Sequence, residues 1–192
     1  MKQEHDFLYS FFRVIYKIIL KILYRPKILG IENLPKTGSI ILAGNHRRAP
    51  DPVLVMMCTK RKVHFLAKIE VSRGLHGKLF KRLGVIVVDR SKANPQAVLE
   101  SENILKNGGV IGIFPEGTRN RTTEELLNFK KGAVLMAQRT NSKIVPFAIK
   151  ERYKAFRKRA KLEFGEPINV VNMDTNDANE YLREEVLKLL RK

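Results

Sequence analysis

The sequence has almost no cysteine, which excludes two kinds of stabilising device. Cys58 stands alone, so no disulfide can form within the chain and no cysteine cluster can complete a zinc site. The four histidines lie at positions 5, 46, 64 and 76, and no two of them have the i, i+4 spacing that places two imidazoles on one face of a helix. We therefore expect no bound structural metal.

Acidic residues are also scarce. The chain has 19 Asp and Glu against 37 Lys and Arg, and its formal net charge is +18. Such a field attracts polyanions, which include nucleic acid, an anionic lipid surface and a phosphorylated substrate, and charge alone does not choose among them. With 192 residues, 44% of them hydrophobic, the chain is long enough for one well-packed domain and short for two.

A long apolar run free of charge is missing as well, although residues 7–24 come near to one. Arg13, Lys17 and Lys21 interrupt this segment at four-residue intervals, and each charge at the centre of a spanning helix costs about 2.5 to 3.5 kcal/mol on insertion scales. On a helix these cations share one side with three tyrosines, and bulky apolar residues fill the rest. The pattern favours an amphipathic helix, within residues 1–26, lying on an anionic membrane surface. A helix packed on the core of the domain is the alternative.

Residues 27–192 alternate apolar runs with helical patterns, which is typical of an α/β domain. The runs "GSIILAGN", "VHFLA", "GVIVVDR", "VIGIF" and "KIVPFAI" predict buried strands. Helices are predicted for "NPQAVLESENILKNGG", for "FKKGAVLMAQRT" and from about Asn176 onward. We expect a single domain with a largely parallel mixed sheet flanked by helices, and ligands that bind beyond the strand ends.

The stretch "NHRRAPD", residues 45–51, directly follows the first of these strands. A turn at Pro50 would return Asp51 beside His46, so that the carboxylate orients an imidazole acting as a general base. Asp51 is also well placed to cap a helix with Pro52 at its first position. The alternative is a helix cap alone, with His46 an exposed loop residue.

Two further polar clusters, "DR" at 89–90 and "FPEGTR" at 114–119, also follow predicted strands. Glu116 suits hydroxyl groups, Gly117 permits a close approach of the backbone, and Arg119 offers a fork for a phosphate monoester. Arg90 is either a second phosphate ligand or a surface partner of Asp89. Taken alone, the hexapeptide is equally compatible with a polar turn that carries a solvated arginine.

Taken in order, "NHRRAPD", "GVIVVDR", "FPEGTR" and "IVPFAI" resemble the four sequence blocks of the phospholipid and glycerol acyltransferases, which include bacterial 1-acyl-sn-glycerol-3-phosphate acyltransferases. The resemblance covers roughly residues 27–170. It implies that His46 activates an acceptor hydroxyl and that Asp51 orients His46. The residues implied to hold the acceptor's glycerol phosphate are Arg90, Glu116, Gly117, Thr118 and Arg119.

Three more residues are candidates for additional substrate contacts. The resemblance implies that Pro146 shapes a pocket. Arg48 departs from the serine or asparagine frequent at this position in the family, and suits either a phosphate or a different acceptor. Lys68 is either a source of positive potential at the site or a surface lysine.

The resemblance implies an enzyme that moves an acyl group from acyl-CoA or acyl carrier protein to the sn-2 hydroxyl of 1-acyl-sn-glycerol-3-phosphate, giving phosphatidic acid. It implies no cofactor, no nucleic-acid partner, and a peripheral or monotopic place at the cytoplasmic face of the cell membrane. Acylation of glycerol-3-phosphate or of another lysolipid is the alternative within this class. A basic, non-enzymatic binder of membrane or nucleic acid is the alternative from another class, suggested by the net charge and by the basic run at residues 152–161.

Overall fold

The computed structural model describes residues 7–72, 74–89, 94–150, 153–157 and 159–192. These residues form six α-helices and seven strands. The helices are α1 (Phe7–Tyr24), α2 (Asp51–Met56), α3 (Gly74–Arg82), α4 (Pro95–Lys106), α5 (Gly132–Thr140) and α6 (Thr175–Arg191). The strands are β1 (Lys27–Leu29), β2 (Ile40–Gly44), β3 (Val63–Lys68), β4 (Ile86–Val88), β5 (Val110–Ile113), β6 (Lys143–Lys150) and β7 (Lys161–Phe164).

The seven strands make one sheet in the order β1-β7-β6-β2-β5-β3-β4. All neighbours are parallel except β6 and β7. This is the single α/β domain with a largely parallel mixed sheet that the alternating sequence pattern predicts. Helices α1 and α2 cover one face, where Leu20 and Leu54 are buried, and α4, α5 and α6 cover the other, where Leu105, Val134 and Val186 are buried.

Helix starts follow local sequence signals. Asn94 and Pro95 begin α4, as the Asn-Pro pair predicts, and the Asn94 side chain accepts a hydrogen bond from the Asp89 amide, which ties the helix to the end of β4. Asp174 caps α6 by accepting from the amides of Asn176 and Asp177. The sequence gives no comparable signal for β1, a short edge strand, or for α3, whose segment holds two glycines.

The central strands bring the two longest polar clusters together. Strand β2 pairs with β5 on one side and with β6 on the other, so "NHRRAPD" after β2 and "FPEGTR" after β5 leave the sheet side by side. The strands are tightly packed here. A Cβ atom at Gly44, the last residue of β2, would lie 2.2 Å from the carbonyl oxygen of Phe147 on β6, so only glycine fits.

Helix α1 confirms the predicted helix at residues 7–24 and turns Tyr9 and Arg13 toward the domain, whereas Lys21 is exposed. The Val63 amide donates to the hydroxyl of buried Tyr9, and Arg13 donates to the carbonyl of Thr59. Large apolar side chains, 41 to 82% exposed, face away from the domain along the opposite side. They are Phe7, Phe11, Val14, Ile18, Ile19 and Ile22, and we call them the apolar stripe. Within the described residues, no helix has the length and apolar character needed to cross a bilayer.

Candidate active site

The loop after β2 is fixed before it reaches His46. The Asn45 side-chain amide donates to the carbonyl of Ile149, and its oxygen accepts from the Ile149 amide, at 3.0 and 2.7 Å. This side chain thereby prolongs the pairing of β2 with β6 by one residue. The backbone of His46 is then held on both sides, since its amide donates to Glu116 and its carbonyl accepts from the amide of Asn120.

His46 and Asp51 are in direct contact. His46 Nδ1 lies 2.9 Å from Asp51 Oδ2, and because a carboxylate only accepts, the ring proton is on Nδ1 and Nε2 is left with a free lone pair. The imidazole is 15% exposed, whereas the Asp51 side chain is fully buried. The pair has the geometry of a general base and its orienting carboxylate.

Asp51 does not cap a helix, contrary to the expectation from sequence. It is the first residue of α2, which has Pro50 at its N-cap and no side-chain cap bond. The amides of Arg47 and Arg48 point back at the carboxylate, and both donate to Oδ2 at 2.7 Å. Two adjacent backbone amides therefore fix the carboxylate oxygen that faces His46. The turn at Pro50 places these amides next to the Asp51 side chain.

Tyr153 completes the environment of Asp51. Its hydroxyl donates to Oδ1 across 2.6 Å. Burial first, and then the neighbouring Asp51 carboxylate, raise the pKa of Tyr153 above its ordinary value, so the hydroxyl stays protonated and remains a donor. The Arg48 guanidinium lies 5.8 Å from the centre of the Tyr153 ring. Tyr153 could not be identified from the sequence, because it lies at the edge of the basic run at residues 152–161 and belongs to no motif.

Glu116 holds the backbone of the site. One carboxylate oxygen accepts from the His46 amide at 2.7 Å and the other from the Leu127 amide at 3.0 Å. Burial raises the pKa of Glu116, and these two hydrogen bonds oppose that shift. The carboxylate lies behind His46 rather than in the adjoining cavity, so its observed task is to position the loop that carries the base.

An aromatic stack supports the imidazole. The ring of Phe114 lies 4.1 Å from that of His46 and is inclined by 16°, and Phe65 stacks on Phe114 in turn at 5.4 Å. Phe147 contacts the edge of Phe114. Because three packed rings support one side of the imidazole, its rotation about Cβ is restricted and Nε2 keeps one direction.

His46 lines a cavity of about 1050 Å³, just above the roughly 300 to 1,000 Å³ usual for ligand pockets. Its wall is mostly apolar and comes from α1, α2, α3 and strands β3 to β5. The apolar side chains include Phe12, Val53, Met56, Met57, Phe65, Leu66, Phe80, Leu83, Val85, Val88 and Ile113. Cationic side chains also line it, namely Arg13, Lys68, Arg119, Arg121 and Lys130.

The residues singled out from sequence fall into two groups. Those that line the cavity with His46 are Lys68, Gly117, Thr118 and Arg119. Four others do not line the cavity. The Arg48 side chain lies over the Tyr153 ring, and Pro146 is buried in β6. Asp51 and Glu116 contact His46 on the side away from the cavity. Arg90 lies outside the described residues.

Two of the cationic side chains that line the cavity, Lys68 and Lys130, have close neighbours. Lys68 forms an ion pair with Glu70 at 2.7 Å, which offsets part of its charge. Gly117 has a left-handed backbone (φ 70°), and the Lys130 side chain packs against it so closely that a Cβ atom there would lie 3.0 Å from Lys130 Cε. The sequence assigns Lys130 no role in the site, and its place beside Gly117 emerges only from the fold. Among the residues that the structure describes, no group of three or more His, Cys, Asp and Glu could hold a metal ion.

The chain is similar in sequence and fold to several acyltransferases. The 1-acyl-sn-glycerol-3-phosphate acyltransferase of Borreliella burgdorferi is 31% identical over 170 residues, which cover 85% of this chain and 68% of that one. The enzyme of the same name from Bacillus subtilis is 31% identical, covering 84% and 83%. The crystal structure of the Thermotoga maritima 1-acyl-sn-glycerophosphate acyltransferase has the same fold, with a TM-score of 0.81 and 23% identity over 95% of this chain and 78% of that one. Residues 25–150, which contain His46 and Glu116, match the family model described as Acyltransferase, and the chain belongs to this acyltransferase family.

Proposed function

We propose that this protein transfers a fatty acyl group from an acyl thioester, acyl-CoA or acyl carrier protein, to the sn-2 hydroxyl of 1-acyl-sn-glycerol-3-phosphate, giving phosphatidic acid. The observation that carries the proposal is the His46–Asp51 pair at the wall of a large cavity that is apolar along most of its surface and cationic at Arg119, Arg121 and Lys130. An acceptor with one acyl chain and one phosphate presents the matching chemistry. Relatives that carry the name of this reaction support the choice of acceptor.

The reaction follows from the free lone pair on His46 Nε2. This nitrogen takes the proton of the acceptor hydroxyl, and the oxygen forms a bond to the thioester carbonyl carbon. The tetrahedral adduct collapses, the carbon–sulfur bond breaks, and the thiolate leaves with the proton that His46 had taken. The step balances with the two substrates alone, so it uses no cofactor. Asp51 stabilises the imidazolium formed between the two proton transfers.

The acceptor phosphate would be held at the cationic side of the cavity. Arg119 and Lys130 line this side of the cavity together with Gly117, and the Lys130 side chain packs against Gly117. Anchoring the phosphate there fixes the distance from phosphate to hydroxyl, so an encounter between two lipids becomes an oriented step. The apolar wall would hold acyl chains.

The test uses labelled acyl-CoA and labelled acyl carrier protein with 1-acyl-sn-glycerol-3-phosphate in detergent micelles. We expect labelled phosphatidic acid from at least one donor. A protein that acylates glycerol-3-phosphate or another lysolipid but not this acceptor would overturn the acceptor and leave acyl transfer standing. No transfer from either donor to any of these acceptors would overturn the proposed function.

The substrate also bears on where the enzyme works. A lysophosphatidic acid resides in a membrane, and the apolar stripe of α1 exposes six large side chains on the side away from the domain. The same helix lines the cavity through Tyr9, Phe12, Arg13 and Tyr16. We propose that α1 lies on an anionic membrane surface, as a peripheral or monotopic element, with the cavity opening beside it.

Replacing Ile18 and Ile22 together with serine is expected to weaken binding to anionic vesicles by at least about tenfold, since two large side chains no longer leave water for the bilayer. Vesicle co-sedimentation measures this. Leu99→Ala is the matched control, because Leu99 is exposed to a similar degree but lies on α4, on the other face of the sheet. Equal binding by the double variant and native protein would contradict a role for α1.

Tyr153→Phe is expected to lower kcat about tenfold and to leave KM within about twofold, since it removes one hydrogen bond to a buried carboxylate without touching the cavity. The ring, and its contacts with Arg48 and Tyr24, would remain. Steady-state kinetics with both substrates measures the two parameters. Tyr24→Phe serves as the control, since it alters a neighbouring tyrosine outside the hydrogen bonds of Asp51. A change in KM with kcat unaltered would contradict the positioning role.

A further inference from the structure

Phe156 combines two features that a folded protein normally avoids. Its side chain is 71% exposed, and its backbone has a φ of 58°, in the left-handed region that bulky side chains rarely adopt. Glycine or asparagine at this position would relieve the backbone, and a polar residue would relieve the exposure. An exposed aromatic side chain on a strained backbone indicates that this residue serves a function other than stabilising the fold.

The surrounding segment is firmly attached to α1. We call residues 153–157 and 159–160 the basic loop. The Phe156 amide donates to the carbonyl of Leu23 at 2.7 Å, and the Ala160 amide donates to that of Tyr24 at 3.0 Å. These two bonds satisfy carbonyls in the last turn of α1 and hold Phe156 next to the end of the apolar stripe, where Ile22 is exposed.

The charges of the basic loop all have one sign. Lys154, Arg157 and Arg159 are exposed on either side of Phe156, and the loop contains no acidic residue. Lys21 and Arg25, at the end of α1, are exposed nearby. An exposed aromatic side chain bordered by cations, next to the end of an apolar helix face, matches the interface of an anionic bilayer, where headgroups bind cations and the ring enters the acyl boundary.

We propose that the basic loop is a second membrane-binding element, in which Phe156 enters the bilayer interface while Lys154, Arg157 and Arg159 bind anionic headgroups. This inference rests on the proposed action at a membrane and deepens it, because it fixes a second contact and hence the orientation of α1. The same loop begins with Tyr153, which bonds to Asp51. The loop that meets the bilayer therefore also holds the carboxylate that orients His46.

The test is binding of the full chain to vesicles of phosphatidylcholine alone and of phosphatidylcholine mixed with phosphatidylglycerol. Phe156→Gly is the main variant, because glycine accepts the left-handed backbone. Its melting temperature should equal or exceed that of the native protein, while its partition onto the mixed vesicles should fall about tenfold. Leu99→Ala again serves as the control and should bind as the native protein does.

The charges are tested separately. Lys154→Gln with Arg157→Gln should weaken binding to mixed vesicles by about fivefold per charge and leave binding to phosphatidylcholine unchanged. Native binding of Phe156→Gly to the mixed vesicles would overturn the proposal. Vesicle binding needs no turnover, so failure of the acylation assay would count against the proposed function and leave this inference intact.

Discussion

Replacement of His46 by alanine is expected to lower kcat for acyl transfer roughly a thousandfold, because the acceptor hydroxyl then loses the imidazole that we propose as its base. The Asn45 and Glu116 contacts that hold the loop do not involve the imidazole. The loop should therefore keep its shape, and lipid binding should persist. Initial rates with the labelled donor, together with KM for the acceptor, measure the effect.

The matched control for this variant is His64→Ala. His64 lies in β3 and its ring is hydrogen-bonded to the carbonyl of Gly84, so it is a second histidine with a structural contact. We expect this control to retain native kcat. If the His46 variant kept more than a tenth of native activity while remaining folded, His46 would not be the base.

The sheet and the position of the site could be predicted because both depend on short, contiguous sequence patterns. Buried parallel strands appear as short apolar runs, and polar residues that directly follow such runs mark the edge of the sheet where ligands bind. "NHRRAPD" and "FPEGTR" follow β2 and β5, which turn out to be neighbours. Because β2 and β5 pair in parallel, their C-terminal ends lie at one edge of the sheet, which brings His46 near Glu116.

What could not be predicted depends on contacts between distant parts of the chain. Tyr153 reaches Asp51 across 102 positions and belongs to a run whose obvious property is charge. Lys130 meets Gly117 only because the chain after β5 folds back on itself. The periodicity of α1 defines a polar and an apolar side, but which side meets the domain depends on partners such as Thr59 and Val63.

The cap assigned to Asp51 from sequence was wrong for a related reason. Asp before Pro and an apolar run is a frequent helix start, and the helix does begin there. The pattern does not reveal that the carboxylate accepts from the amides of Arg47 and Arg48, which precede the helix, instead of from amides in its first turn. A local rule thus found the correct residue and gave it the wrong partners.

Those partners predict the outcome of Asp51→Asn, for which we expect kcat to fall by about a hundredfold to a thousandfold. Two backbone amides donate to Oδ2, so the asparagine oxygen should occupy that position and its amide nitrogen should face Tyr153, whose hydroxyl can rotate to accept. His46 Nδ1–H would keep an acceptor. The loss then measures the negative charge that supports the imidazolium, with the tautomer preserved.

Asp51→Ala separates that charge from the hydrogen bonds. Alanine leaves the amides of Arg47 and Arg48 and the Tyr153 hydroxyl without their acceptor at a fully buried position. We expect the free energy of unfolding to fall by about 3 kcal/mol or more, against about 1 kcal/mol for Asp51→Asn. Denaturant unfolding measures both values, and kinetics on the folded fraction gives kcat. A loss of about ten-thousandfold in the asparagine variant would mean that its amide nitrogen faces His46 and imposes the wrong tautomer; a loss below tenfold would mean that the Asp51 charge plays no part in the transfer.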